Sequence, residues 1–259
     1  MRRNAVRTLI LACQTLREEL RLALRETGVD YPVIYIESGL HNRPEALKQR
    51  IQQQLDMLDN IDVVLMVFGY CGNGLLGVRP DGFKIVVPRV DDCIPLLLGS
   101  LEARRRISQE AGTYFVTKGW LDYEQNILWE YDRCIARYGE ERARRLMKTM
   151  LGNYGRFMVI DTGAYPLDTV TPRTSEFAAR LNLEHAVVPG SPRLLHKLLR
   201  GQWDEEFVVV ESGREVRLAD FCAGGTDAAG AGQLFIAGTE GQVADGTAEN
   251  IFLPVSVKK

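Results

Sequence analysis

Five cysteines punctuate the sequence, at 13, 71, 93, 134 and 222, and three of them stand where an apolar run gives way to a polar or glycine-rich one. Cys13 closes "RTLILAC", Cys71 interrupts "VVLMVFGYCGNGLLG", and Cys93 follows the aspartates of "RVDDCIPLLLGS". A thiol inside a strand packs as a small hydrophobe, whereas one at a strand's end reaches whatever the strand ends enclose. His41, in "SGLHNRP", lies in a loop of the same kind; His185 and His196 fall in apolar and amphipathic patterns, where packing or solvation is the expected role. Thiolates with one imidazole suit zinc or another borderline-soft metal, and three protein ligands leave a fourth position open for chemistry. On that reading His41, Cys71 and Cys93 hold the metal and Cys13 and Asp92 have catalytic roles. Gly72, Asn73 and Gly74 then form a permissive stretch of backbone that lets a cofactor or ligand approach closely.

The same residues support a chemistry without metal. Cys13 and Cys93 each fall at the expected start of a helix, where the dipole lowers a thiol's pKa. Cys13 and Cys71 would then act as a facing acid-base or nucleophilic pair, as in two-cysteine racemases. A third reading makes the protein a non-catalytic carrier of a metal or corrinoid. Asp91 and Asp92 are candidates to orient an imidazole or bind substrate, and one of them to cap the following helix. The loop "GNGLLG" lacks the GxGxxG spacing of a dinucleotide fingerprint. The stretch "IDTGAYP", with Asp161, Thr162 and Tyr165, reads as a turn that could also present polar groups to a substrate.

Composition narrows the setting. The chain has 259 residues, 46% hydrophobic and 25% charged, with a formal net charge of -2, so it carries no net basic field of the kind nucleic acid attracts. The dense arginines of "EARRRISQE" and "GEERARRLMK" read as solvated helix faces. The first apolar run is broken by Gln14, Arg17, Glu18 and Glu19, too early for a membrane span or a signal core, and the expected location is the cytoplasm. An odd number of widely spaced cysteines without CxxC does not suggest a disulfide framework, which leaves reduced thiols.

These residues must be positioned by alternating elements. Strand-like runs such as "YPVIYIES", "FKIVVPRV", "GTYFVTKG", "RFMVIDTG", "EHAVVPG" and "EFVVVESG" alternate with amphipathic helical patterns. Strands apolar on both faces and separated by helices predict an α/β fold, doubly wound, with a mostly parallel sheet covered by helices on both faces. About eight strands would form one sheet or two smaller βα units, with 120–153 as the connector; Gly139 divides that connector into two helices. The domain spans 1–222, and 223–259 is a Gly/Ala-rich tail. In such sheets ligands bind beyond the carboxyl ends of the strands, where the cysteines fall.

The segments "LILACQTLREEL", "FGYCGNGLLG", "RVDDCIPLLLGS", "GTYFVTKGWL" and "VIDTGAYP" together resemble the family called domain of unknown function 1638, over residues 8 to about 222. The resemblance carries over Cys13, Cys71, Asp92 and Cys93. It implies a link to corrinoid-dependent methyl transfer and one-carbon metabolism, with a small-molecule substrate and a corrinoid protein as partner. The expected function is a zinc-dependent α/β protein of methyl-group metabolism, a methyltransferase if catalytic, and no membrane or nucleic-acid partner is expected.

Overall fold

The computed structural model describes residues 6–123 and 126–222; the predicted tail from 223 lies outside the described residues. Two sheets carry the architecture. The first contains β1 (Thr8–Cys13), β2 (Val33–Ile36), β3 (Val63–Val67), β4 (Lys84–Pro88) and β8 (Phe207–Val210), in the order β2-β1-β3-β4-β8. Pairing is parallel except for β8, which closes the edge antiparallel to β4. The second sheet, β5 (Thr113–Val116), β6 (Arg156–Asp161) and β7 (Glu184–Pro189), is parallel throughout with β6 in the centre. β3 is buried at every position, as a strand covered on both faces must be.

Helices cover the faces. α1 (Arg17–Thr27), α2 (Pro44–Asp56), α3 (Cys93–Leu98) and α4 (Leu101–Glu110) follow the early strands. The short α5 (Lys118–Leu121) leads to α6 (Ile127–Tyr138) and α7 (Glu140–Met150), divided at Gly139, whose φ of +80° suits a residue without a side chain. α8 (Thr171–Leu181) joins β6 to β7, and α9 (Arg193–Leu199) returns the chain to the first sheet, burying Leu194, Leu195, Leu198 and Leu199. A last turn, α10 (Ala219–Cys222), ends the described chain.

The connector at 120–153 lies inside the second unit, because β5 already pairs with β6. The change of sheet comes earlier, between β4 and β5. The units share packing: Phe115, Met158 and Ile160 of the second sheet belong to the same apolar core as β1, β3 and β4. No helix among the described residues is long and apolar enough to cross a membrane.

Candidate functional site

In the first sheet β2 lies on one side of β1 and β3 on the other, so the winding direction reverses between β1 and β3. A crevice opens at such a point beyond the carboxyl ends. Cys13 is the last residue of β1, and Cys71 lies four residues past the end of β3. What brings Cys93 to them is backbone pairing between two loops. The Tyr70 and Cys71 amides donate to the carbonyls of Val90 and Asp91, each at 2.8 Å. Gly69 lies against this strip so closely that a Cβ there would sit 2.4 Å from the Cα of Asp92. Cys71, Gly72 and Asn73 all have positive φ, a tight left-handed turn closed by the Gly74 amide on the Cys71 carbonyl at 3.1 Å. The predicted glycine segment therefore shapes the turn that presents Cys71.

The three thiols form one interacting set. The Thr15 hydroxyl lies 3.1 Å from Cys13 Sγ. Cys93 lies near enough to both Cys13 and Cys71 for each to perturb its titration. Cys13 is held well above the ordinary thiol pKa, first by its hydrogen bond to Cys93 and then by burial. Cys93 is pulled down by accepting from Cys13, but its donation to Cys71 and its burial leave it well above the ordinary value. Cys93 is the first residue of α3, as expected, yet neither thiol is lowered: the neighbouring thiols and burial outweigh any helix dipole. Cys71 is half-buried, whereas Cys13 and Cys93 are buried.

Asp92 is the cap of α3, its Oδ1 accepting from the Ile94 amide at 2.7 Å. Its Oδ2 faces the Arg104 guanidinium at 3.1 Å, and Asp91 shares that arginine. Crowding by protein atoms raises Asp92 to about 6 against the pull of Arg104, with Asp91 adding to the rise, although about a third of the side chain (35%) still meets solvent.

His41 does not join the thiols through any hydrogen bond among the described residues. It lies in a 3-10 turn, Ser38–Asn42, with an exposed surface, and its ring donates to the Ser38 carbonyl of its own turn. The surrounding atoms lower its pKa. The residue that interacts with Cys93 besides Cys71 is Cys13. Among the described residues no three His, Cys, Asp or Glu side chains stand in the arrangement of a formed metal centre. His185 is held by Thr174 at 2.9 Å and His196 by Glu26 at 2.8 Å, both away from the cysteines in structural roles.

A family model described as Protein of unknown function (DUF1638) matches residues 35–199, more than half of the chain. The chain belongs to this family. The matched span of DUF1638 contains His41, Cys71, Asp92 and Cys93 and begins after Cys13. It is narrower than the resemblance read over 8–222. No curated protein and no solved structure matches the sequence.

One group escaped the sequence reading. Glu19, in the first turn of α1, is only 3% exposed and accepts a hydrogen bond from the Thr162 hydroxyl at 3.0 Å, across to the second sheet. Asp161 and Gly163 form the predicted turn, the Asp161 carboxylate accepting from the Gly163 amide at 3.1 Å. In sequence Glu19 is indistinguishable from the solvated Glu18 beside it; only a polar partner at the end of a distant strand marks it.

Proposed function

We propose that Cys13, Cys71 and Cys93 bind a thiophilic metal ion, zinc in the first instance, and that the open coordination position takes a substrate thiol. The observation that carries this reading is the interaction of Cys93 with both other thiols, which gathers three sulfur donors from three separate segments, with Cys13 at the end of β1 and Cys71 just past the end of β3. Sulfur donors select zinc and similar ions over hard cations. Loading removes the shared protons and lets the side chains turn from one another toward the ion. Zinc lowers the pKa of a bound thiol and keeps it a thiolate, the form that accepts a methyl group. The chain would then serve methyl-group metabolism, with a methylcorrinoid protein as donor; a carrier role would need the same metal site but no turnover.

The metal-free acid-base reading fits less well. A facing pair needs Cys13 and Cys71 to act on each other across a substrate, and here the interaction of each is with Cys93. The test is elemental analysis of protein purified without oxygen or chelator, and of apoprotein reloaded with zinc. Cys13→Ser, Cys71→Ser and Cys93→Ser should each lose most of the metal, while His41→Ala and Cys134→Ser keep it. Equal metal content in all five variants, or none in the parent protein after reloading, would sink the assignment. Turnover with methylcorrinoid and a thiol acceptor then separates the enzyme from the carrier.

A further inference from the structure

Cys71 is held in a backbone conformation that side-chain-bearing residues rarely adopt. Its φ is +51°, in the left-handed region, and the turn is fixed by the Gly74 amide on the Cys71 carbonyl at 3.1 Å. Such a conformation is unfavourable for a residue with a Cβ and persists where the surroundings impose it, often at functional positions. Here the surroundings are the segment that carries Cys93. The Tyr70 and Cys71 amides donate to the Val90 and Asp91 carbonyls, each at 2.8 Å, and Gly69 leaves no room for a Cβ against Asp92. The Gly69 amide lies on the Cys93 sulfur, and the Cys93 thiol interacts with that of Cys71. Backbone bonds between two loops thus bring the two thiols together. Their access to solvent is unequal. Cys71 is half-buried, whereas Cys93 is 8% exposed and Cys13 7%. Cys134 packs in the second apolar core, apart from the other thiols. Cys222 is exposed and follows Phe221, whose ring lies 5.2 Å from that of Tyr70.

We propose that Cys71 and Cys93 form a redox modification site, joining in a disulfide when a small hydroperoxide reaches Cys71. The site needs no metal, since the same two thiols meet in the metal-free chain. In the first step the Cys71 sulfur attacks a peroxide oxygen, the O–O bond breaks, and Cys71 becomes a sulfenic acid as water or an alcohol leaves. In the second the Cys93 sulfur attacks the Cys71 sulfur, the S–O bond breaks, and the hydroxyl leaves as water with the proton of Cys93. Two thiols have then given two electrons to the peroxide. Burial and the neighbouring thiol keep Cys93 protonated, which slows its attack, but a partner already held beside the sulfenic acid has the advantage of an intramolecular reaction. Closing the sulfurs to the disulfide length of about 2.05 Å asks for side-chain rotation only, because the backbone strip already aligns the loops. The bridge ties the turn after β3 to the start of α3 and takes two of the three sulfurs out of use as donors. Oxidation and the metal binding proposed above therefore exclude each other.

The experiment treats the full chain, reduced and freed of metal by a chelator, with hydrogen peroxide, then blocks remaining thiols with N-ethylmaleimide and maps the unreduced peptides by mass spectrometry. The peptides of Cys71 and Cys93 should appear joined as the main product and separate on addition of dithiothreitol. With the second thiol removed, Cys93→Ser should trap at least about tenfold more dimedone adduct at Cys71 than the parent, and Cys93→Ala should do the same. Cys71→Ser should form no bridge, because the two buried thiols are shielded, while Cys222→Ser should form the Cys71–Cys93 bridge as readily as the parent. Oxidation of Cys71 to a sulfinic acid without a bridge overturns the proposal. So does a bridge from Cys71 to Cys222 or Cys13 as the main product, or a Cys13–Cys93 bridge that forms equally fast in Cys71→Ser. None of these results bears on the metal reading, which elemental analysis of the reduced protein tests separately.

Discussion

Cys13 and Cys93 keep their protons at neutral pH because each thiolate would be buried and pressed against another sulfur. For a group whose pKa is raised on folding, the folded state holds the proton over a wider range, so stability is complete below the ordinary thiol pKa and falls as pH rises above it. On the proposed metal reading, binding must displace those protons. Zinc loading near neutral pH should therefore release at least about two protons per ion, those of Cys13 and Cys93, read from the dependence of the binding enthalpy on buffer ionisation heat. Release of one or none would place the zinc on other ligands. Alkylation offers a second measure. Cys222 is exposed and should react first with iodoacetamide. Cys71, half-buried, should follow in the apoprotein and become protected when zinc is added.

The loops that align the thiols depend on glycine at one position more than at another. At Gly69 an added Cβ would meet the Asp92 backbone at 2.4 Å, and backbone cannot swing aside as a side chain can. Gly69→Ala should cost about 1–3 kcal/mol in urea unfolding and weaken zinc binding, because the strip from 69 to 71 must move away from Cys93. Gly72 has open space, its nearest neighbour being Pro44 Cγ at 3.9 Å, but its φ of +58° is unfavourable for a side-chain-bearing residue. Gly72→Ala should cost about 1 kcal/mol while leaving zinc affinity near that of the parent. If the two variants bind zinc equally well, the close approach at Gly69 does not align the site.

Across the whole chain, the seam between the sheets carries a buried carboxyl. Glu19 is raised first by burial and then by Glu18, while its own amide, Thr162 and Lys118 act the other way. Its proton is favoured in the folded state, so its contribution to stability is full below the unfolded carboxyl value of about 4.3 and declines as pH rises from there toward the folded pKa. Glu19→Gln keeps the acceptor for Thr162 and removes the titration. Its melting temperature relative to the parent should therefore climb as pH is raised from about 4 toward neutrality. A difference that stays constant with pH would mean that Glu19 titrates alike in the folded and unfolded chain.

Local pattern alone determined the strands, the helices and the parallel α/β class. A buried parallel strand must be apolar on both faces, as in "VVLMV", and a helix must alternate with the helical period; both are properties of neighbouring residues. For the same reason the break at Gly139, the capping role of an aspartate before Cys93, and the placement of Cys13 and Cys71 at or just beyond strand ends were legible. Tertiary structure decided the rest. Which strands share a sheet depends on pairing between distant segments, so β5 joins β6 and β7 although its own sequence suits either sheet. Cys93 meets Cys13 rather than His41 because strand order puts β1 beside β3 while His41 turns back on Ser38. Glu19 is buried while Glu18 beside it is not, because a side chain's solvation depends on what the rest of the chain places against it, here Thr162 from across the seam.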